Sequence, residues 1–279
     1  MTATTVPTTH HSETDLTAAV PSAPVRRVAR PIPATRLVQV ELRKMFNTRS
    51  GFWMLVSIGV LSVVATGAVI IFAPDSAITY ESFATAIGFP MSVILPMIAI
   101  LAVTSEWSQR SGLTTFTLVP RRGRIVIAKA VATLIVGIAS MAIAFAVGAL
   151  GNVLGAAING TDAVWNVSLA HAGQILLGNL VGMSIGFTLG VVLRNSAAAI
   201  VGYFVVSLVL PGILELLALV RDWFNDLQPW IDWNYTQVTL FEGITNTGEE
   251  WAQLGSTTMI WIVVPLVVGL LFLRRSEVK

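Results

Sequence analysis

SEWSQRSGLTTFTLVPRRGRIVIAK, residues 105–129, decides how the rest of this chain is read. It carries Arg110, Arg121, Arg122, Arg124 and Lys129 between two long apolar runs. A basic side chain at the centre of a bilayer costs about 2.5–3.5 kcal/mol, so the stretch belongs in water, as a connection on the cytoplasmic side. Glu106 opens a run compatible with helix, Gly112 loosens it, and Pro120 disfavours helix at Val119. The pattern predicts a short helix, a basic turn and a new apolar helix beginning near Ile125.

Outward from this connection the chain is apolar. It is 54% hydrophobic and 11% charged, against about 25% charged in soluble domains. Six apolar segments, 52–73, 83–104, 125–154, 172–193, 197–220 and 254–273, have cores near the ~20 residues that cross a bilayer as helix. The expectation is an all-α integral membrane protein with six transmembrane helices. With the amino terminus inside, every Lys and Arg except Arg221 falls on the cytoplasmic side, which places both termini in the cytoplasm of a cell-membrane protein. A pI near 9.3 could suggest nucleic acid, but the basic residues are dispersed at the ends of apolar runs, so none is expected as a partner. The absence of cysteine excludes disulfides, thiolate metal sites and cysteine nucleophiles.

Residues 1–34 are rich in Thr, Ala, Pro and Ser and read as a disordered cytoplasmic tail ahead of a single membrane domain, 35–279. The tail has no apolar core after a basic start, so it is not read as a signal peptide. His10 and His11 read as polar filler and not as a metal pair. From Thr35 to Ser50, apolar Val38, Leu42, Met45 and Phe46 recur at helical spacing among Glu41, Arg43, Lys44 and Arg49. This predicts an amphipathic helix beside the membrane, its cations facing anionic lipid or a protein partner.

Within the spans, Pro90 and Pro96 remove backbone donors from the second and predict a kink. The fourth carries Gly178, Gly182, Gly186 and Gly190, a groove that lets another backbone approach, either within the chain or in a second copy. Asn179 beside it either hydrogen-bonds across that contact or lines a cavity. Pro211-Gly212 interrupts the fifth segment, and Glu215 follows inside LELLALV. A kinked span that surfaces there, or a re-entrant hairpin, would make that carboxylate tolerable, so Pro211, Glu215 and Asn179 are candidate pathway or re-entrant residues. Trp223, Phe224, Trp230, Trp233 and Tyr235 read as an interfacial aromatic belt. Asn166 and Asn234 open glycosylation triplets, a weak pattern this near a membrane.

No phosphate loop, GxGxxG, HExxH or GxSxG occurs, so no catalytic residue, metal ligand or cofactor is assigned and the chain is not read as an enzyme. The span interiors hold no clear ionisable residue of the kind an ion-coupled carrier places at mid-membrane. That omission favours an external motor.

From about Thr35 to its end the chain resembles the membrane subunit, or permease, of ABC-2 type ABC transporters, which are mostly exporters. The resemblance rests on VELRKMFNTRSGFW before the first span, on SEWSQRSGLTTFTLVPRRGRIVIAKA after the second, and on six spans with a long fifth-to-sixth connection. In the second motif Glu106, Gly112, Thr114, Pro120, Arg121, Arg124 and Lys129 stand where the family has an acid, a Gly-Thr pair, a Pro and an Arg before a Lys. Leu113 separates the glycine from the threonine. The resemblance implies a cytoplasmic coupling helix at residues 106–117 that docks on an ATP-binding subunit, and an interface helix at 38–49 beside it. Glu41, Arg43, Lys44, Glu106, Gly112, Leu113, Thr114, Phe116, Pro120, Arg121 and Arg124 would then face that partner. A second permease copy would complete a passage through the bilayer. A membrane scaffold or sensor without transport activity is the alternative reading.

Overall fold

The computed structural model describes residues 32–108, 122–245 and 247–275. The described residues are helical, with one isolated β-bridge between Thr79 and Val164. The expected tail falls outside them apart from its last three residues, and so does most of the expected coupling helix: Gly112, Leu113, Thr114, Phe116, Pro120 and Arg121 are not among them.

Helix α1, Ala34–Asn47, precedes the first span. It buries Met45 and half-buries Val38 and Leu42 in the main apolar core, and exposes Arg36, Gln39, Val40, Arg43 and Phe46. At its end Thr48 turns the chain, accepting the Gly51 N–H at 3.2 Å on its hydroxyl. A Cβ at Gly51 would fall on the Met45 carbonyl, so only glycine fits the elbow into α2.

Six helices are long and apolar enough to cross a membrane. They are α2, Arg49–Phe72; α3, Tyr80–Ser108; α4, Arg122–Asn159; α5, Leu169–Leu193; α6, Ser196–Val220; and α9, which begins at Gly248. Between α6 and α9 lie α7, Asp222–Ile231, and α8, Trp233–Phe241. The spans alternate between the end of the molecule that holds α1 and a far end where α7 begins. At 1.5 Å per residue the 38 residues of α4 reach about 57 Å, well beyond a ~30 Å hydrocarbon core.

Helices α3 and α5 are the most buried spans, and α2, α6 and α9 are peripheral. The pairing of α3 with α5 is the most extensive in the molecule, and the glycines explain why. A Cβ at Gly186 would lie 2.8 Å from the Pro96 carbonyl oxygen, and one at Gly190 3.3 Å from Val103 Cβ. Backbone therefore packs on backbone across this seam.

Pro90 and Pro96 both lie inside continuous helix α3. Pro96 has no N–H for the carbonyl of Ser92, one turn earlier. Tyr203 of α6 supplies the missing donor: its hydroxyl reaches that oxygen at 2.9 Å. Prolines also explain two widened turns. In α6 a π-turn at Val205–Val209 immediately precedes Leu210-Pro211, and in α9 one at Met259–Val263 precedes Val264-Pro265 before α-helix resumes over Val264–Arg275. Widening the turn accommodates a ring that would clash with the carbonyl four residues back. Pro211-Gly212 thus does not end the span, which continues to Val220.

Gly186→Ala should destabilise the protein by about 1–3 kcal/mol as α3 and α5 are forced apart. Gly59→Ala, in open space, should cost nothing or stabilise by a few tenths of a kcal/mol. Thermal unfolding in detergent followed by tryptophan fluorescence separates the two.

Candidate functional site

Two constructions, one at each end of the molecule, carry the polar chemistry that a membrane protein has to explain. At the α1 end three helices meet on one cation. Lys129, on the first turns of α4, is 3% exposed. Its Nζ donates to Glu41 Oε2 of α1 at 2.6 Å and to the Ala102 carbonyl of α3 at 3.1 Å. Lys44 Nζ donates to Glu41 Oε1 at 2.8 Å. Glu41 is 7% exposed, so both carboxylate oxygens are held by cations largely away from water. Arg124 Nη2 donates to the Ile32 carbonyl at 2.6 Å, fixing the chain just before α1 begins. A cavity of about 160 Å³ lies beside this junction, between Glu41, Lys44 and Met45 of α1, Met54 and Leu55 of α2, and Leu101, Ala102 and Ser105 of α3.

Lys129 is the eighth residue of the 38-residue α4, near its α1 end and away from mid-helix. It stands within an apolar spanning helix because its partner is delivered by α1, a helix outside the spans. A buried pair of this kind is retained only while both members are present. Among the expected docking residues Arg43 is exposed, whereas Glu41 is turned inward onto Lys129 and holds Lys44 beside it. Arg124 is engaged with Ile32. Glu106 lies on the last turn of α3.

The far end holds a hairpin that the sequence did not place. Helix α7 runs from Asp222 down to Ile231, Asp232 turns the chain, and α8 returns. The depth follows from α5, which begins at the far end. Phe241 packs over Gly178, the Gln237 amide over Gly182, and Trp233 shares an apolar cluster with Ile185. Ile185 lies 16 residues beyond Leu169, about 24 Å along the helix. The turn is therefore deep in the span bundle and the pair α7–α8 is re-entrant.

Broken helices at such depth have to satisfy their backbone from within the protein. Trp261 Nε1 donates to the Ile231 carbonyl at 2.8 Å and Ser256 Oγ to the Trp230 carbonyl at 2.7 Å, closing the end of α7. Asp232, 3% exposed, accepts the Asn234 N–H at 3.0 Å to start α8, and the Gln228 amide at 3.1 Å. Gln237 donates to the Gly178 carbonyl at 2.8 Å. At the far end the His171 ring meets the Phe241 carbonyl at 2.8 Å, and Gln174 donates to the Thr245 carbonyl at 2.8 Å. Gly243, at φ +70°, closes α8 in the left-handed region, and a Cβ there would collide with His171.

The four glycines of α5 all face residues of this same chain: Gly178 and Gly182 meet α8, and Gly186 and Gly190 meet α3. Asn179 is buried, with its Nδ2 on the Ile175 carbonyl at 3.0 Å and no partner for Oδ1. Pro211 and Glu215 lie on α6, outside the hairpin, and Glu215 is exposed. The aromatic belt is corrected. Trp233 and Phe224 are 2% and 5% exposed and anchor the hairpin, while Trp223 and Tyr235 remain on the surface. The belt reading fails for Phe224 and Trp233 because their faces of α7 and α8 turn into the bundle. The signal available was Asp232 directly before Trp233, a residue type that caps the start of a new helix. Asn166 is also committed: its side chain exchanges two hydrogen bonds with Glu81, at 3.0 and 2.8 Å. Among the described residues no cluster of His, Cys, Asp and Glu is arranged to hold a metal.

Trp261→Phe keeps the ring and removes the donor to Ile231. It should destabilise the protein by about 1–2 kcal/mol. Amide exchange should accelerate in 222–241 and not in 80–105.

No curated protein matches the chain. The model of the ABC-2 family transporter proteins matches residues 38–278, from within α1 through the last span. That coverage takes in the junction at Lys129, all six spans and the re-entrant hairpin. The chain belongs to the ABC-2 transporter family and is a multi-pass membrane permease component of an ABC transporter.

Proposed function

We propose that the protein is the non-catalytic passage-forming subunit of an exporter in the cell membrane, driven by a separate ATP-binding subunit that docks at the α1 end. That end is cytoplasmic in this reading, because it collects nearly all of the basic residues. The observation that carries the proposal is the joining of α1, α3 and α4 through Lys129. Helices α3 and α4 bear the two ends of the 109–121 connection, so a push on that connection or on α1 is delivered to spans and not absorbed by a loose loop. The exposed side of α1, with Arg36, Gln39 and Arg43, offers a charged docking face. Glu106, Gly112, Leu113, Thr114, Phe116, Pro120 and Arg121 supply the remainder of the contact. In this division of labour Glu41, Lys44 and Arg124 act by holding α1 in place.

A second copy of the chain completes the passage. Helix α6 is the span least covered by its own chain, and it exposes Glu215 about five residues from its far end. A carboxylate facing lipid at that level is costly, and a facing copy or a water-filled passage removes the cost. The sequence contains no cysteine, so a single cysteine at Leu208 should cross-link two copies in native membranes; monomer alone at every probed α6 position contradicts the homodimer.

The docking reading is tested by co-purification from native membranes. Glu106→Lys, or Leu113→Ala with Phe116→Ala, should lower recovery of the ATP-binding subunit by about tenfold or more while the permease still inserts. Unchanged recovery with unchanged transport contradicts it.

A further inference from the structure

We infer that Lys129 is a positioning residue for energy coupling: it locks α1 and both spans flanking residues 109–121 into one block. It does so without touching the ATP-binding subunit. The inference rests on the docking reading above and deepens it, since it assigns to the buried cation of that junction the task of fixing α1 against the spans.

Burial separates Lys129 from any partner contact. At 3% exposure its ammonium is enclosed, and among the described residues it meets Glu41 on α1 and the Ala102 carbonyl on α3. Stability alone does not call for a charge here, because a buried ion pair is matched or bettered by well-packed apolar residues of similar volume. What the charge adds is a fixed position. Apolar side chains tolerate sliding and rotation, whereas an ammonium shared by a carboxylate and a carbonyl sets both the height and the rotation of α1 against α4. The neighbouring cavity of about 160 Å³ leaves part of the α2 and α3 side of α1 open, so the ion pair adds to the packing of Met45 in setting its position. With Arg124 holding Ile32 and Lys129 holding Glu41, α1 is pinned at two points nine residues apart, both from α4.

The test uses the full chain with its ATP-binding subunit in lipid nanodiscs, with amide hydrogen exchange read with and without ATP and vanadate. Lys129→Met should speed exchange in residues 34–47 by roughly tenfold or more while 169–193 keep their protection. ATP should still be hydrolysed, and the nucleotide-dependent change in exchange over 222–241 should disappear. The double variant Glu41→Leu/Lys129→Met restores an apolar match and should recover thermal stability, yet leave 34–47 fast and 222–241 unresponsive. Wild-type behaviour of the double variant in both regions would overturn the proposal, because the pair would then be a replaceable piece of packing. So would a Lys129→Met chain that keeps wild-type exchange at 34–47. If no ATP-binding subunit accompanies the chain, the docking reading fails, while exchange at 34–47 in the permease alone still decides whether Lys129 pins α1.

Discussion

A helix broken inside hydrocarbon has no water to complete it, and this protein breaks helices there repeatedly. Pro96 leaves the Ser92 carbonyl open, and the Tyr203 hydroxyl fills it. The α7–α8 hairpin leaves carbonyls open at its turn, and Trp261 and Ser256 fill them from α9. Each repair comes from a different span, so the irregular segments hold the bundle together as much as the regular ones do. The close α3–α5 seam depends on the same economy: glycine brings two backbones together where no hydrophobic force between lipid-soluble helices would do so.

The two ends of the molecule use polarity differently. The far end has a hairpin whose polar atoms are spent on its own backbone, with Asp232 capping α8 and Gln237 tied to α5. The α1 end spends its charges on joining elements: Glu41, Lys44 and Lys129 connect a helix outside the bundle to two helices inside it. In an ABC-2 permease this contrast suits a machine pushed from one side. In the proposed reading force enters where charged elements are joined, and the hairpin at the opposite end packs on α5, α6 and α9, which connect the two regions.

Much of the architecture was legible in the sequence because hydropathy and basic-residue asymmetry act over whole segments. All six spans, the helix ahead of the first and the glycine face on α5 follow from residue type and spacing alone. What escaped was decided by pairings across long separations. Lys129 read as a cytoplasmic-side charge near the start of a span, and its pairing was hidden because its partner Glu41 lies 88 residues earlier. The aromatics of α7 and α8 read as a surface belt because nothing local reveals that Gly178 and Gly182 open a slot for Phe241 and Gln237. Pro211-Gly212 read as a break because the compensating π-turn comes from the preceding residues, whose composition is simply apolar.

The central claim is that the machine is driven from the side on which residues 106–121 lie. A single cysteine at Ser111 in this cysteine-free chain, treated with a membrane-impermeant maleimide, tests it most directly. The account predicts labelling in inside-out vesicles and none in intact cells; labelling in intact cells would contradict it.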